Sequence, residues 1–391
     1  MHKSKNKKRL AYFVSHPIQY QAPLLKLIAE QSDIELTVFF LSDISIKAHS
    51  DKGFGVTVDW GIPLLDGYRY EFLESKCNDQ DFHLNNPWVA LSSVKSALAS
   101  QKWDAIWVHG YNNFALLYVL LVCRIKNIPL LFRGDSTLVC SRKNRLKTIF
   151  IRSLVKQCHA LLYVGTDNRE YYEAYGATRK QLFSMPYAVD NKYFKAPVII
   201  PKEALCVKAP EKTVILYASK FIARKNPLLL VEAFNKLDDK LKQGAELWLV
   251  GDGEQRNELY EAVKKYRLQD SVKLLGFKNQ TELPWYFSQC DVFVLPSEKE
   301  PFGLVINEVM NQAKAIITTN EVGAARDLVH HKKNGWVVSA NSLTELTQAL
   351  DEALSDPEQL VKIGQHRLAT IDNWDYQAGL VGLRLALWSL P

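Results

Sequence analysis

The sequence predicts an α/β protein built from two doubly wound, Rossmann-like domains, and three observations carry that expectation. Short apolar runs alternate with helical patterns along most of the chain. The alternation stops near the middle, at a stretch bearing three prolines. The 391 residues exceed what one hydrophobic core usually serves, so two domains of roughly 190 residues are expected.

In the first half, Leu10 to Ser15, Ile34 to Phe40, Ala105 to His109, Leu130 to Arg133, Ala160 to Val164 and the region of Leu182 to Met185 read as strands of a buried parallel sheet. Leu41 to Asn86 breaks the rhythm with Gly, Asp and aromatic residues and reads as an elaborated loop with room for short strands. Pro197 to Pro210 reads as a linker, which sets the first domain at residues 1–200. A second series follows in residues 201–372: Thr213 to Ala218, Leu247 to Val250, Val272 to Leu275, Val292 to Leu295, Ala315 to Thr318 and Gly335 to Val338. Ser342-Leu-Thr-Glu345 is a capping box that opens a helix over Leu346 to Leu354. Residues 373–391 hold a last apolar helix, Trp374 to Leu390. There is no internal repeat.

Composition narrows the function. A 47% hydrophobic, 23% charged chain is an ordinary globular protein. The six cysteines are scattered without a Cys-x-x-Cys pair, against a disulfide framework or a zinc site and in favour of a reducing cytoplasm. Phe114 to Cys123, the longest apolar run, is too short to span a bilayer, and the N-terminus reads as a basic tail without the apolar core of a signal peptide. Net charge is +7, and Ser136 through Thr166 holds no acidic residue but includes Arg142, Lys143, Arg145, Lys147, Arg152 and Lys156. That patch is either a solvated helix face or an attraction for anionic lipid headgroups or a phosphorylated acceptor; no nucleic-acid motif accompanies it.

The chemistry concentrates in the second half. Asp291-Val-Phe-Val-Leu-Pro296 reads as a buried strand, Ser297 to Phe302 as its exit loop and Gly303 onward as a helix. Glu300 then lies on the loop and Glu308 in the helix, where free amides and the helix dipole favour an anion such as phosphate. Carboxylates accepting hydroxyl hydrogens on either side of a phosphate describe a sugar nucleotide. In Ser219-Lys220-Phe-Ile-Ala-Arg224-Lys225-Asn226-Pro227, Asn226 is placed to cap and Pro227 to open another helix, with Lys220 and Lys225 ahead of it. Val250-Gly251-Asp252-Gly253-Glu254 follows a strand, but Arg256 stands where a dinucleotide fingerprint needs glycine. The Asp79-Gln80-Asp81 triplet sits in a polar loop far from these segments and reads as structural, so no metal is expected.

The Glu300-Pro301-Phe302-Gly303 to Glu308 segment resembles the retaining, family-4 type glycosyltransferases (glycosyl transferases group 1) of the GT-B fold, where two such glutamates flank a Phe-Gly turn. The resemblance implies two Rossmann-like domains facing across a cleft, with the last helix crossing back to the first. It implies that Glu300 contacts the transferred sugar and that Glu308 holds the ribose hydroxyls. It also implies that the amides of Phe302, Gly303 and Leu304 approach sugar and phosphate. Lys220 and Lys225 match the family's diphosphate-binding Arg and Lys, Lys220 replacing the arginine and its bidentate grip. Gly251 and Gly253 would either let the backbone approach the nucleotide or serve as tight-turn glycines with no ligand, and Phe277, Lys278 and Asn279 lie where relatives hold the base. His109 would contact the donor sugar near the reacting centre, the alternative being a capped or core histidine. His16 and Gln19 are placed either to bind acceptor or diphosphate or to order a turn beside Pro17, and Arg133 of Arg133-Gly-Asp135 either faces the acceptor or has a structural role. Tyr187 to Asp190 resembles a structural stretch before the interdomain linker, and the Gly323 segment a helix mouth near the donor.

The implied activity is metal-independent, retaining transfer of a hexosyl or N-acetylhexosaminyl group from a UDP- or GDP-linked sugar to a hydroxyl of a glycan or lipid-linked acceptor. The setting is surface polysaccharide or glycoconjugate assembly in the cytoplasm, with peripheral contact to an anionic membrane. The donor is a co-substrate and no cofactor is expected. Glu300, His109 and Lys225 would act by positioning and charge stabilisation as the departing phosphate helps deprotonate the acceptor. A sugar-nucleotide epimerase or phosphorylase and a non-catalytic sugar-nucleotide sensor would keep the same fold.

Overall fold

The computed structural model describes residues 7–46, 49–51, 56–58, 62–73, 91–141, 144–198, 200 and 207–390. It divides into two compact units: Met1–Lys47, Ile62–Ala188 and Tyr376–Pro391 form one, and Ala48–Gly61 and Val189–Asp375 the other. Asp79 to Asp81 lie outside the described residues.

In the first unit a parallel sheet is built from β1 (Lys8–Val14), β2 (Ile34–Phe40), β5 (Arg69–Phe72), β6 (Ala105–His109), β7 (Leu130–Arg133), β8 (Ala160–Tyr163) and β9 (Leu182–Ser184). Its strand order is β5-β2-β1-β6-β7-β8-β9. Two short strands, β3 (His49–Asp51) and β4 (Val56–Val58), pair antiparallel as a separate ribbon within Ala48–Gly61, the stretch counted with the second unit. The helices are α1 (Ala22–Ala29), α2 (Leu91–Ala99), α3 (Phe114–Lys126), α4 (Arg145–Gln157) and α5 (Thr166–Ala174). Because a parallel strand is covered on both faces, its side chains are apolar on both sides. In β1, Ala11 and Phe13 enter one core while Leu10, Tyr12 and Val14 enter the other. The second core is closed by the chain's last helix through Leu380, Leu383, Ala386 and Leu387.

In the second unit, β10 (Thr213–Ala218), β11 (Ala245–Val250), β12 (Val272–Gly276), β13 (Val292–Leu295), β14 (Ala315–Thr319) and β15 (Trp336–Val338) form a parallel sheet in the order β12-β11-β10-β13-β14-β15. Its helices are α6 (Asn191–Lys195), α7 (Pro227–Lys236), α8 (Asp239–Gly244), α9 (Arg256–Lys265), α10 (Leu283–Gln289), α11 (Val305–Met310), α12 (Gly323–Leu328), α13 (Leu343–Ser355) and α14 (Pro357–Asp372). The last helix of the chain, α15 (Tyr376–Trp388), belongs to the first unit and packs on α1 and β9.

Both orders run outward in two directions from the first strand. The strand order therefore reverses beside β1, against β6, and beside β10, against β13. Loops leaving neighbouring strands at such a point go to opposite faces and leave a crevice at the carboxyl edge, where ligands of doubly wound sheets bind. Each unit thus has one topologically favoured site.

Candidate functional site

At the second unit's reversal point, the loops leaving β10 and β13 are latched together, the Glu298 amide donating to Arg224 O at 2.8 Å. After Ser219 and Lys220 the chain makes a short 3-10 turn over Ala223–Lys225, which turns Lys225 inward and buries it. The Lys225 ammonium pairs with the Glu300 carboxylate. Arg224 Nη1 lies 3.4 Å from the same carboxylate oxygen. Burial lowers the Lys225 pKa while Glu300 opposes that shift, and the charges of Arg224 and Lys220 also depress it. Three cations and a carboxylate therefore share one crevice.

Asn226 does not cap α7 through its side chain. At φ 60° it is the left-handed C-cap of the 3-10 turn, with its amide on Ala223 O, whereas an N-cap needs extended backbone. Its carboxamide donates instead to Asn341 Oδ1 at 2.7 Å, and Pro227 does open the helix.

Glu300 is fixed by the backbone around it. Its amide donates to Glu321 O at 3.0 Å, its carbonyl accepts from the Gly323 amide at 3.1 Å, and Phe302 O accepts from the Ala324 amide at 2.7 Å. The Gly323 segment therefore spends its first amides on holding the Glu300 loop. Phe302 is buried, with Trp374 stacked on it at 6.0 Å between ring centroids. Gly303, at φ 95°, turns the chain through Leu304 into α11. That helix is only six residues long, so its dipole is a smaller contributor than the sequence suggested.

Glu308 is half-buried on α11 and accepts from Gln280 Nε2 at 3.0 Å. The Tyr193 hydroxyl donates to Gln280 O at 3.1 Å. Burial pushes the Glu308 pKa up to about 7, the Gln280 hydrogen bond only partly offsetting it. Neither Gln280 nor Tyr193 was singled out by sequence. Gln280 follows Phe277-Lys278-Asn279 directly, and the side chains of Lys278 and Asn279 serve the local turn. Asn279 Oδ1 accepts from the amides of Thr281 and Glu282, and Lys278 pairs with Glu282.

Gly251 and Gly253 have a structural duty in the packing of two loops. A Cβ on Gly251 (φ 142°) would lie 1.9 Å from Ser219 O, and one on Gly253 (φ 152°) 2.6 Å from Phe221 O. The missing side chains let this loop pack backbone to backbone on the Lys220 loop, with the Phe221 amide on Asp252 O at 2.8 Å. Arg256, in place of the fingerprint's third glycine, pairs with the buried Asp252.

At the first unit's reversal point the groups on β1, α1 and β6 are uncharged, with the buried Arg133 charge within electrostatic reach. His109 ends β6, with Gln21 Nε2 at 3.4 and 3.5 Å from its two ring nitrogens. The Gln21 carboxamide oxygen accepts from the Tyr12 hydroxyl, which turns the amide nitrogen toward the imidazole. Burial, the Arg133 charge and the His16 ring hold the His109 pKa down to about 3, so the imidazole is neutral at physiological pH. The buried amide is Gln21, at the mouth of α1; Gln19 sits half-buried in the preceding turn, and His16 Nδ1 meets Ser15 Oγ at 2.9 Å.

Arg133 corrects an expectation. It does not face outward toward an acceptor: it is only 1% exposed, donates through Nη2 to Met185 O (2.9 Å) and Pro186 O (3.2 Å), and lies over the Tyr187 ring. Its charge acts through the interior, as one cause of the neutral His109.

Comparison with known proteins comes to the same fold and, over part of the chain, to a matching family model. Residues 206–367 match the family model described as glycosyl transferases group 1. Over 218 residues the chain is 26% identical to the N-acetyl-alpha-D-glucosaminyl L-malate synthase of Bacillus anthracis, covering 56% of this chain and 52% of that protein. It is 30% identical over 143 residues to a Campylobacter jejuni N-acetylgalactosamine-N,N'-diacetylbacillosaminyl-diphospho-undecaprenol 4-alpha-N-acetylgalactosaminyltransferase, 36% of this chain and 37% of that one. The chain spans about half the length of the curated relatives it matches. The structure of Anabaena Alr3699/HepE in complex with UDP and glucose superimposes with a TM-score of 0.73 at 17% identity, covering 98% of this chain and 100% of that one.

Proposed function

We propose that this chain, whose residues 206–367 belong to the glycosyl transferases group 1 family and whose fold is that of solved glycosyltransferases, is a retaining, metal-independent glycosyltransferase. It moves a hexosyl or N-acetylhexosaminyl group from a UDP- or GDP-linked sugar to a hydroxyl of a glycan or lipid-linked acceptor. The observation that carries this reading is the Lys225–Glu300 pair at the β10/β13 reversal point, with Arg224 and Lys220 beside it.

Lys220 and Lys225 bind the donor's diphosphate and stabilise its charge as the glycosidic bond breaks, the task a divalent ion performs in other transferases. Glu300, held at both its amide and its carbonyl, positions the transferred sugar, and His109 is assigned to the same sugar from the first domain. Glu308 accepts the ribose hydroxyls, displacing Gln280 from its carboxylate. The amides of Phe302, Gly303 and Leu304 lie along the sugar and phosphate, and the Gly251–Gly253 loop supports the Lys220 loop. In a front-face displacement the departing phosphate oxygen takes the proton of the attacking hydroxyl, so the anomeric configuration is kept. Surface polysaccharide or glycoconjugate assembly at the cytoplasmic face of a membrane suits such an acceptor.

The test is thermal stabilisation by UDP, GDP, ADP and TDP with metal chelated, the Glu308→Ala variant serving as control. A nucleotide at a hundredfold excess over its dissociation constant adds about 2.7 kcal/mol. Stabilisation of the wild type alone by one nucleotide supports the assignment and fixes the donor class. No stabilisation by any nucleotide removes the donor reading, and donor conversion without an acceptor would make the protein an epimerase. The anomeric configuration of the transferred sugar, read by NMR, decides retention.

A further inference from the structure

Helices α3 and α4 each carry two apolar faces, and a globular core uses only one of them. In α4, Ile151, Leu154 and Val155 are buried, while Leu146 (78% exposed), Ile149 (65%) and Phe150 form an outward stripe at i, i+3 and i+4. In α3, Leu116, Val119, Leu120 and Cys123 are buried, while Phe114, Leu121 (52%) and Ile125 (70%) run along the outside. The two helices are neighbours: Gln157 Nε2 donates to Leu120 O at 2.6 Å, and Arg124 Nη1 reaches Ser153 Oγ at 3.4 Å. Their outward stripes form an exposed apolar surface of a kind that marks an interaction site.

Charge identifies the occupant. Between Asp104 and Asp167 the sequence has nine Lys or Arg residues and one acid, Asp135. Arg145, Arg152 and Lys156 are exposed on α4 beside its outward stripe, and Arg124 and Lys126 close the stripe of α3. Apolar side chains flanked by long basic ones, without acids, fit the headgroup boundary of an anionic bilayer, where the stems lie along the apolar layer and the charged ends meet phosphates. Helix α15 makes the contrast: it also exposes Val381, Leu385 and Trp388, but its cation, Arg384, is paired with Asp33. Nucleic acid would use the basic residues but leave Leu146 and Ile149 in water.

We propose that the outer faces of α3 and α4 form a membrane-docking surface for anionic lipid, with Leu146, Ile149 and Ile125 entering the headgroup layer. The surface holds the first domain against the bilayer. It stands whether or not the donor reading does, because vesicle binding needs no nucleotide.

Cosedimentation of the full chain with vesicles of phosphatidylcholine, with and without phosphatidylglycerol, tests it. The wild type binds the anionic vesicles and releases them as salt is raised. Leu146→Glu with Ile149→Glu abolishes binding, and Arg145→Gln with Arg152→Gln weakens it about tenfold. Val361→Glu, at an exposed position of α14, changes nothing. All these positions are at the surface, so melting temperatures stay at the wild-type value and a loss reports binding. Failure of the wild type to bind anionic vesicles, or wild-type binding by the Leu146/Ile149 variant, overturns the proposal. So does a dimer in sedimentation that the same variant dissolves without any vesicle binding.

Discussion

The two reversal points share a topology and differ in charge. Beside β1 and β6 stand Tyr12, Gln21 and a neutral His109; beside β10 and β13 stand Lys225, Arg224 and Glu300. Strand order determines where each crevice opens, and the loops determine what it can hold. A diphosphate needs fixed cations and a polyhydroxylated group needs hydrogen-bond partners, so the second unit suits the anion.

The sharpest way to break this contrast is to remove the buried cation. Among the described residues, Lys225→Ala leaves the Glu300 carboxylate with the more distant Arg224 as its ion-pair partner. We expect about 3 kcal/mol of lost stability in urea unfolding, because a mostly buried pair has lost one partner. Turnover should fall by about 10²–10³-fold with the diphosphate's charge uncompensated. Unchanged turnover would move the diphosphate away from this crevice. Glu300→Gln is gentler, since the amide keeps the shape and can still position a hydroxyl. Turnover should drop by about a hundredfold while nucleotide-induced thermal stabilisation is retained, and equal losses in both would make Glu300 a plain binding residue.

How these sites could be read from sequence differs in the same way. The β10/β13 crevice was legible because its residues lie on two contiguous loops, each following an apolar run that ends where the structure ends the strand, at Ala218 and Leu295. Strand β5 lies in the stretch read as a loop with room for short strands, and it was not located there because Arg69–Phe72 is exposed throughout and shows no apolar run. Gln21 and Gln280 were missed because their importance lies in partners distant in the chain, His109 and Glu308, and no local spacing encodes such meetings. Arg133 was misplaced for a related reason. A strand-end arginine suggests a ligand, but the carbonyls of Met185 and Pro186, more than fifty positions away, receive its guanidinium. Asn226 resembles an N-cap until its positive φ is known.

Acid should separate the two crevices further. With its pKa raised from 4.5 to about 7, Glu308 is protonated in the folded protein over a range where the unfolded chain is ionised. The folded state then binds the extra proton, so this group's contribution to stability declines as pH rises from 4.5 to about 7 and is least favourable above it. Under the proposed function, nucleotide binding needs the opposite form, the carboxylate that would accept ribose hydroxyls. Affinity should weaken by about tenfold from pH 8 to pH 6, and Glu308→Gln should bind weakly at both. Calorimetric titration at the two pH values would expose a flat wild type, which would detach Glu308 from the ribose.

His109 should give the smallest response near neutrality. Its folded pKa of about 3 lies below the ordinary 6.5, so its contribution to stability is complete above pH 6.5 and is lost as pH falls toward 3. His109→Gln should flatten that acid decline in unfolding experiments while leaving stability at pH 8 within about 1 kcal/mol. Between pH 6 and 8 the imidazole does not titrate, so the wild-type rate profile should show no step from it. Any acid limb near pH 7 then originates in Glu308. It should vanish in Glu308→Gln and persist, at lower turnover, in His109→Gln. The reverse pattern would mean that the charged crevice is silent and that the imidazole titrates, undoing the contrast between the two domains.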